Sequence, residues 1–193
     1  MTYTPRILAF AGSTRTDSFN KKLVRIAVAG AKAAGAEVTL VDLRELPMPL
    51  FDGDVEQAEG IPVHARTFKE LLRSHQGLLI ASPEYNSAIS GVLKNAIDWA
   101  SRPAPGESAL ASFTNKVAAI MSASPGALGG LRGLVHLRMI LGNIQVLVLP
   151  TQVAVPKAHE AFDSDGALKD AKQHGSIEQL GRDLTAILIK LHT

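Results

Sequence analysis

Ile7-Leu8-Ala9-Phe10-Ala11 runs without a break into Gly12-Ser13-Thr14-Arg15-Thr16-Asp17-Ser18-Phe19-Asn20, and helical periodicity follows from about Asn20. An apolar run, a loop of glycine, hydroxyls and one arginine, and then a helix describe a strand that feeds a helix through a polar turn. A helix start presents unpaired backbone N–H groups worth about half a positive charge, which suits an anion. Ser13, Thr14, Thr16 and Ser18 add neutral hydrogen bonds and Arg15 a charged one. The loop lacks the Gly-Lys-Ser/Thr ending of an ATP loop and the GxGxxG spacing of a dinucleotide fingerprint. Hydroxyls and helix N–H groups without that lysine match a terminal monophosphate. The bland alternative is that Ser18 caps the helix and the loop binds nothing.

The alternation of apolar runs and helical patterns continues outward from this stretch. The first helix extends to about Ala34, with Leu23, Ile26, Ala27, Ala31 and Ala34 on one face, and Gly35 ends it. Glu37 to Asp42 reads as the second strand, followed by a long connection from Leu43 to Gly60 with Pro47, Pro49 and a cluster of acids. A helix from Pro62 to Ser74, a third strand from Gly77 to Ala81 and a helix from Gly91 to Ala100 come next. The fourth strand is Lys116 to Met121, the next helix Leu131 to Leu141 and the fifth strand Gln145 to Leu149. A final helix from about Ser176 to Leu191 aligns Ile177, Leu180, Leu184, Ile187, Leu188 and Leu191. Buried-looking strands separated by helices predict an α/β fold, a five-stranded parallel sheet with helices on both faces. No repeat, low-complexity run or linker divides the chain, so residues 1–193 read as one domain.

Composition removes several function classes. Apolar residues make up 46% and charged residues 20%, ordinary for a soluble globular chain. No apolar stretch approaches the roughly 20 residues that span a bilayer, and residues 1–6 lack a signal-peptide layout. These features predict a cytoplasmic protein with no membrane partner. Lys and Arg form no block and aromatics are only 5%, which speaks against nucleic acid. The absence of cysteine excludes disulfides, thiolate metal sites and a cysteine nucleophile. His64, His75, His136, His159, His174 and His192 show no metal-ligand spacing.

In parallel sheets of this type ligands sit beyond the carboxyl ends of the strands, where the strand order reverses. Three loops follow strand ends here, Gly12 to Phe19, Ser82 to Ser90 and Ser122 to Gly130, and each is polar or glycine-rich. They leave the first, third and fourth strands, which are neighbours in a 2-1-3-4-5 sheet. The second loop, Ser82-Pro83-Glu84-Tyr85-Asn86-Ser87-Ala88-Ile89-Ser90, sets backbone donors and acceptors around an aromatic, a rim suited to a flat heterocycle. The third has small side chains that let backbone approach a ligand closely. Each loop alone also reads as an ordinary helix-leading turn; their joint occurrence favours a site.

Pro83-Glu84-Tyr85-Asn86 followed by Gly91-Val92-Leu93-Lys94-Asn95-Ala96-Ile97-Asp98-Trp99 closely resembles the signature of the NADPH-dependent FMN reductase family, which includes quinone, chromate and azo-dye reductases. Gly12-Ser13-x-Arg15-x-x-Ser18-x-Asn20-x-x-Leu23 resembles that family's phosphate loop, and Gly129-Gly130 with Leu137-Arg138 its third motif. The resemblance implies a three-layer flavodoxin-like fold, bound FMN, NADPH or NADH as co-substrate, a small-molecule electron acceptor, and a homodimer or homotetramer. Carried over by position, Ser13, Arg15, Ser18, Phe19 and Asn20 surround the phosphate and ribityl chain. Pro83, Glu84, Tyr85, Asn86 and Ser87 line the isoalloxazine ring, and Ser122, Ser124 and Gly126 close the other side. No catalytic acid, base or nucleophile is expected, because the cofactor carries the chemistry. Two residues depart from the family pattern: Ala88 replaces a common serine, and Ser90 a common proline, which is expected to loosen the start of the following helix. Trp99 is expected at a subunit interface, Lys94 and Asn95 bracing loops, and Arg102 facing either a nucleotide phosphate or a partner's acid. A flavodoxin-type electron carrier and a non-catalytic flavin-binding oligomer are the alternatives. The slight excess of Lys and Arg over Asp and Glu, 20 against 18, argues against the acidic docking face of a carrier.

Overall fold

The computed structural model describes residues 3–192. Its first half runs β1 (Arg6–Ala11), α1 (Phe19–Ala33), β2 (Glu37–Asp42), α2 (Gly53–Glu59), α3 (Val63–Ser74), β3 (Gly77–Ala81), β4 (Glu84–Tyr85), β5 (Ala88–Ile89) and α4 (Gly91–Ser101). The second half runs β6 (Val117–Ala123), α5 (Leu131–Asn143), β7 (Leu147–Val155), α6 (Ala158–Ala161) and α7 (Ala171–His192). Five strands form one parallel sheet in the order β2-β1-β3-β6-β7, the expected 2-1-3-4-5 once the short β4–β5 hairpin is set aside. The fold is flavodoxin-like.

Strand alternation explains the layers. Ile7, Ala9 and Ala11 of β1 face α1 and α7, whereas Leu8 and Phe10 face α3, α4 and α5. Both faces are covered, so β1 and β3 are apolar almost throughout rather than alternating with polar residues. On the first face α1 and α7 touch through glycines. A Cβ on Gly30 would lie 2.0 Å from the Glu178 carbonyl oxygen, and one on Gly181 would lie 2.0 Å from that of Ala27.

Several boundaries differ from expectation, each for a local reason. β7 continues past Leu149 to Val155, because Leu149 to Thr151 bulge opposite the single residue Ala119 and Pro150 is tolerated there on an edge strand. α7 begins at Ala171, before the expected Ser176, since the Asp170 carboxylate accepts from Lys172 N (2.8 Å) and Gln173 N (3.1 Å). α2 hides among the acids of the long connection, started by Asp52, whose Oδ1 accepts from Asp54 N at 2.9 Å. Trp99 is fully buried in its own chain, and its Nε1 donates to the Pro49 carbonyl at 2.8 Å, which corrects its expected place at a subunit surface. Asn95 bonds the same segment, donating to Pro49 O (2.9 Å) and accepting from Phe51 N (2.8 Å), so the two side chains fasten the connection that follows β2 onto α4. Arg102 lies over the Phe51 ring and 3.4 Å from Glu56 Oε1, an acid of the same chain.

Candidate functional site

The carboxyl ends of β1, β3 and β6 are neighbours, and their three loops enclose one cleft. Its walls are Ser13, Arg15, Ser18, Phe19 and Asn20 from the first loop, Pro83, Glu84 and Tyr85 from the second, and Ala123, Ser124 and Pro125 from the third. Nine of the thirteen residues expected at a cofactor are among these. Asn86 and Ser87 form the hairpin turn beside Tyr85 and adopt φ of 51° and 67°. Ser122 lies wholly beneath the surface, its Oγ packed under Gly130 and without a hydrogen-bond partner among the described residues. Gly126 turns the third loop and takes no part in the cleft wall, its N–H directed at Ser124 Oγ (3.4 Å). Ala123 and Pro125, which sequence reading passed over, line the cleft because β6 runs two residues further than expected.

At the phosphate-loop end, Ser18 occupies the cap position of α1, yet its side chain makes no capping hydrogen bond. The first turn of this 15-residue helix contains no acidic residue. Among the described residues no side chain caps these first N–H groups, and the bland reading of Ser18 as a helix cap does not hold. Ser13 Oγ accepts from Arg15 N at 3.3 Å, curling the loop, while the Arg15 side chain stays exposed at the cleft. Gly12 is required behind it, since a Cβ there would come within 2.9 Å of Leu93. Hydroxyls, free helix N–H groups and a guanidinium are a donor set that fits a phosphomonoester.

At the other end the two-residue Asn86-Ser87 turn lifts Tyr85 to the rim, where it is 49% exposed. The Glu84 carboxylate is engaged with protein. Oε1 accepts from Arg132 Nε (3.0 Å) and Nη2 (2.8 Å), and Oε2 accepts from Gly133 N (3.0 Å). Burial alone would raise its pKa, but the Gly133 N–H and the Arg132 guanidinium hold it below the usual carboxylate range. Ser90 reverses the expectation of a loosened helix start. Its Oγ accepts from Leu93 N (3.2 Å), capping α4, and donates to Gly12 O (2.6 Å).

A second cavity of about 240 Å³ lies across the phosphate loop, lined by Thr14, Arg44, Met48, Val92 and Asn95 among others. It is mainly apolar, and the first turn of α4 that borders it at Val92 is already capped by Ser90, so it suits a phosphate less well than the cleft does. No cluster of three potential metal ligands occurs among the described residues, and no described helix is long and apolar enough to cross a membrane.

The model of the NADPH-dependent FMN reductase family matches residues 5–160. The chain is 39% identical over 175 residues to an NAD(P)H-dependent FMN reductase of Pseudomonas aeruginosa, covering 90% of each chain. It is 35% identical over 191 residues to a probable NADPH:quinone oxidoreductase of Oryza sativa, covering 96% of this chain and 90% of that one. Among solved structures it is similar to a flavoenzyme NAD(P)H:(acceptor) oxidoreductase from Paracoccus denitrificans, with a TM-score of 0.80, 26% identity, and 98% and 99% of the two chains covered.

Proposed function

The chain belongs to the NADPH-dependent FMN reductase family, and from that premise we propose that its cleft holds one FMN between the phosphate loop and the Tyr85 rim. The protein is a flavin-dependent oxidoreductase that uses FMN and NAD(P)H. The observation that carries the placement is the uncapped start of α1 at Ser18, set in the same cleft as the exposed Tyr85.

When bound, FMN would supply the redox chemistry, a two-electron transfer from the nicotinamide to a second substrate. The chain's own residues bind and orient. Ser13, Ser18 and the first N–H groups of α1 hold the phosphate, with Arg15 adding charge. Pro83, Tyr85, Asn86 and Ser87 form one edge of the ring site, and Ala123, Ser124 and Pro125 the other. Tyr85, half exposed, leaves one side of the cleft open, so nicotinamide and acceptor occupy it in turn. No side chain is assigned as acid, base or nucleophile.

We assign a quinone as the acceptor, supported by relatives named as quinone reductases from rice and Escherichia coli. Free flavin, chromate and azo compounds are further acceptors of the same open cleft. A homodimer or homotetramer, a cytoplasmic location and a single domain over residues 1–193 complete the reading. Purified protein should oxidise NADPH or NADH with a quinone and no protein partner in steady state. Flavin reduction by the nucleotide without turnover would indicate an electron carrier, and negligible reduction a non-catalytic flavin binder.

A further inference from the structure

We propose that Asn20, Glu84 and Ser90 are positioning residues that brace the three cleft loops against one another in a closed ring, so that the cleft stands formed before its flavin arrives. The proposal rests on the reading of this cleft as the FMN site. Asn20 and Ser90 each join two of the loops, and Glu84 joins the second loop to the helix that the third leads into. Asn20, at the start of α1, donates from Nδ2 to Ala123 O (2.9 Å) and accepts on Oδ1 from Ala123 N (3.0 Å), tying the first loop to the third. Glu84 takes the Gly133 N–H at 3.0 Å and the Arg132 guanidinium at 2.8 Å, tying the second loop to the helix that follows the third. Ser90 donates to Gly12 O at 2.6 Å and accepts from Leu93 N at 3.2 Å, tying the end of the second loop to the start of the first.

The Asn20 and Ser90 bonds are buried and the Glu84–Gly133 bond is partly so, whereas the Arg132 guanidinium is exposed. Asn20 and Ser90 are buried, and the Glu84 side chain is 8% exposed, so water does not readily replace a lost partner. The sequence also explains why Glu84 is needed. α5 starts after Gly130, which is left-handed and offers no side-chain cap. A carboxylate from 49 residues away fills that position with the charge the helix start prefers. Between Glu84 and Ser90 lies the Asn86-Ser87 turn, where two non-glycine residues hold positive φ. Such a turn persists only when its ends are pinned. A proline at position 90 would have no hydroxyl with which to close the ring. Fixing loops in the bound geometry in advance reduces the ordering cost of binding.

Each latch has a backbone amide that reports on it: Ala123 for Asn20, Gly133 for Glu84 and Leu93 for Ser90. The test is residue-resolved hydrogen exchange on the flavin-free full chain, paired with FMN titration. In the wild type all three amides should be protected without flavin. Asn20→Ala, Glu84→Ala and Ser90→Ala should each speed exchange at the cognate amide and weaken FMN binding about tenfold, the scale of one lost buried hydrogen bond. Glu84→Gln keeps an acceptor for Gly133 and should recover protection there; if Glu84→Ala does not fold, Asn20→Ala and Ser90→Ala carry the test at their own amides. The proposal is overturned if the three amides exchange like free loops until FMN is added, or if folded variants bind FMN as the wild type does. A wild type that takes up no FMN would overturn the placement of the flavin instead, while amides protected in the same flavin-free protein would still establish the brace.

Discussion

Among the described residues, Arg15 is the one guanidinium in the wall of the proposed phosphate pocket, and it stays exposed there. Arg15→Ala should leave the melting temperature unchanged and weaken FMN binding by about 1.5–3 kcal/mol, the worth of a charged hydrogen bond, as read by fluorescence titration. Ser87 is a different kind of residue, a side chain held at φ 67° in a two-residue hairpin turn. Ser87→Gly should raise stability by about 0.5–1 kcal/mol in urea unfolding, because that turn type prefers glycine. If the hydroxyl also touches the ring, the same variant should bind FMN more weakly. Far from the cleft, Lys116 is buried, and its ammonium donates to the His75 carbonyl at 2.6 Å. Burial pushes its pKa down from 10.5 to about 8, with the Arg73 charge adding to the effect. The unfolded amine keeps its proton up to near 10.5, whereas the folded one releases it from about 8, so unfolding binds a proton between those values. Stability should therefore rise with pH across that window, by on the order of 1–2 kcal/mol once solvent screening is allowed for. Lys116→Met should flatten that rise in denaturant titrations repeated from pH 7 to 10.5.

At the scale of elements, the α1–α7 crossing sets how closely the outer layer can approach. Both helices present a glycine where the other's backbone passes, Gly30 against Glu178 and Gly181 against Ala27. Gly181→Ala should cost about 1–3 kcal/mol by forcing the helices apart, seen as a lower denaturation midpoint with unchanged FMN affinity. Sequence periodicity finds these helices readily because Leu180, Leu184 and Leu188 repeat on one face. Their glycines look like weak points by propensity and become contacts only when the partner helix is in place. The same limit hides the ends of elements. Asp170 starts α7 from outside its apolar stripe, and Pro150 sits inside a strand because the bulge at an edge makes room for it. The β4–β5 hairpin is too short for any periodicity, although Asn86-Ser87 between Tyr85 and Ala88 carries its turn chemistry.

Across the whole molecule, order and layers are legible because a doubly covered parallel sheet forces long apolar runs between helices. The cleft is legible for a related reason. Strand ends gather there, so Ser13, Ser18, Tyr85 and Ser124 can be nominated from their position after a strand. The bracing is less legible. Nothing local marks Arg132 as the partner of Glu84, or Gly12 as the partner of Ser90, since both pairs form only across the assembled sheet. Trp99 shows the same dependence, an aromatic that looks like interface until the Pro49 carbonyl is found against its indole.

If one FMN lies across the top of the sheet and carries the redox chemistry, activity and colour must come and go together. The most direct measurement is to strip the purified protein of flavin, confirm that it is folded and colourless, and follow NADPH oxidation with a quinone before and after adding FMN. The stripped protein should show no turnover, and yellow absorbance and full activity should return together at one FMN per chain. Turnover without flavin, or a preparation that stays colourless and inactive after incubation with FMN, would contradict it.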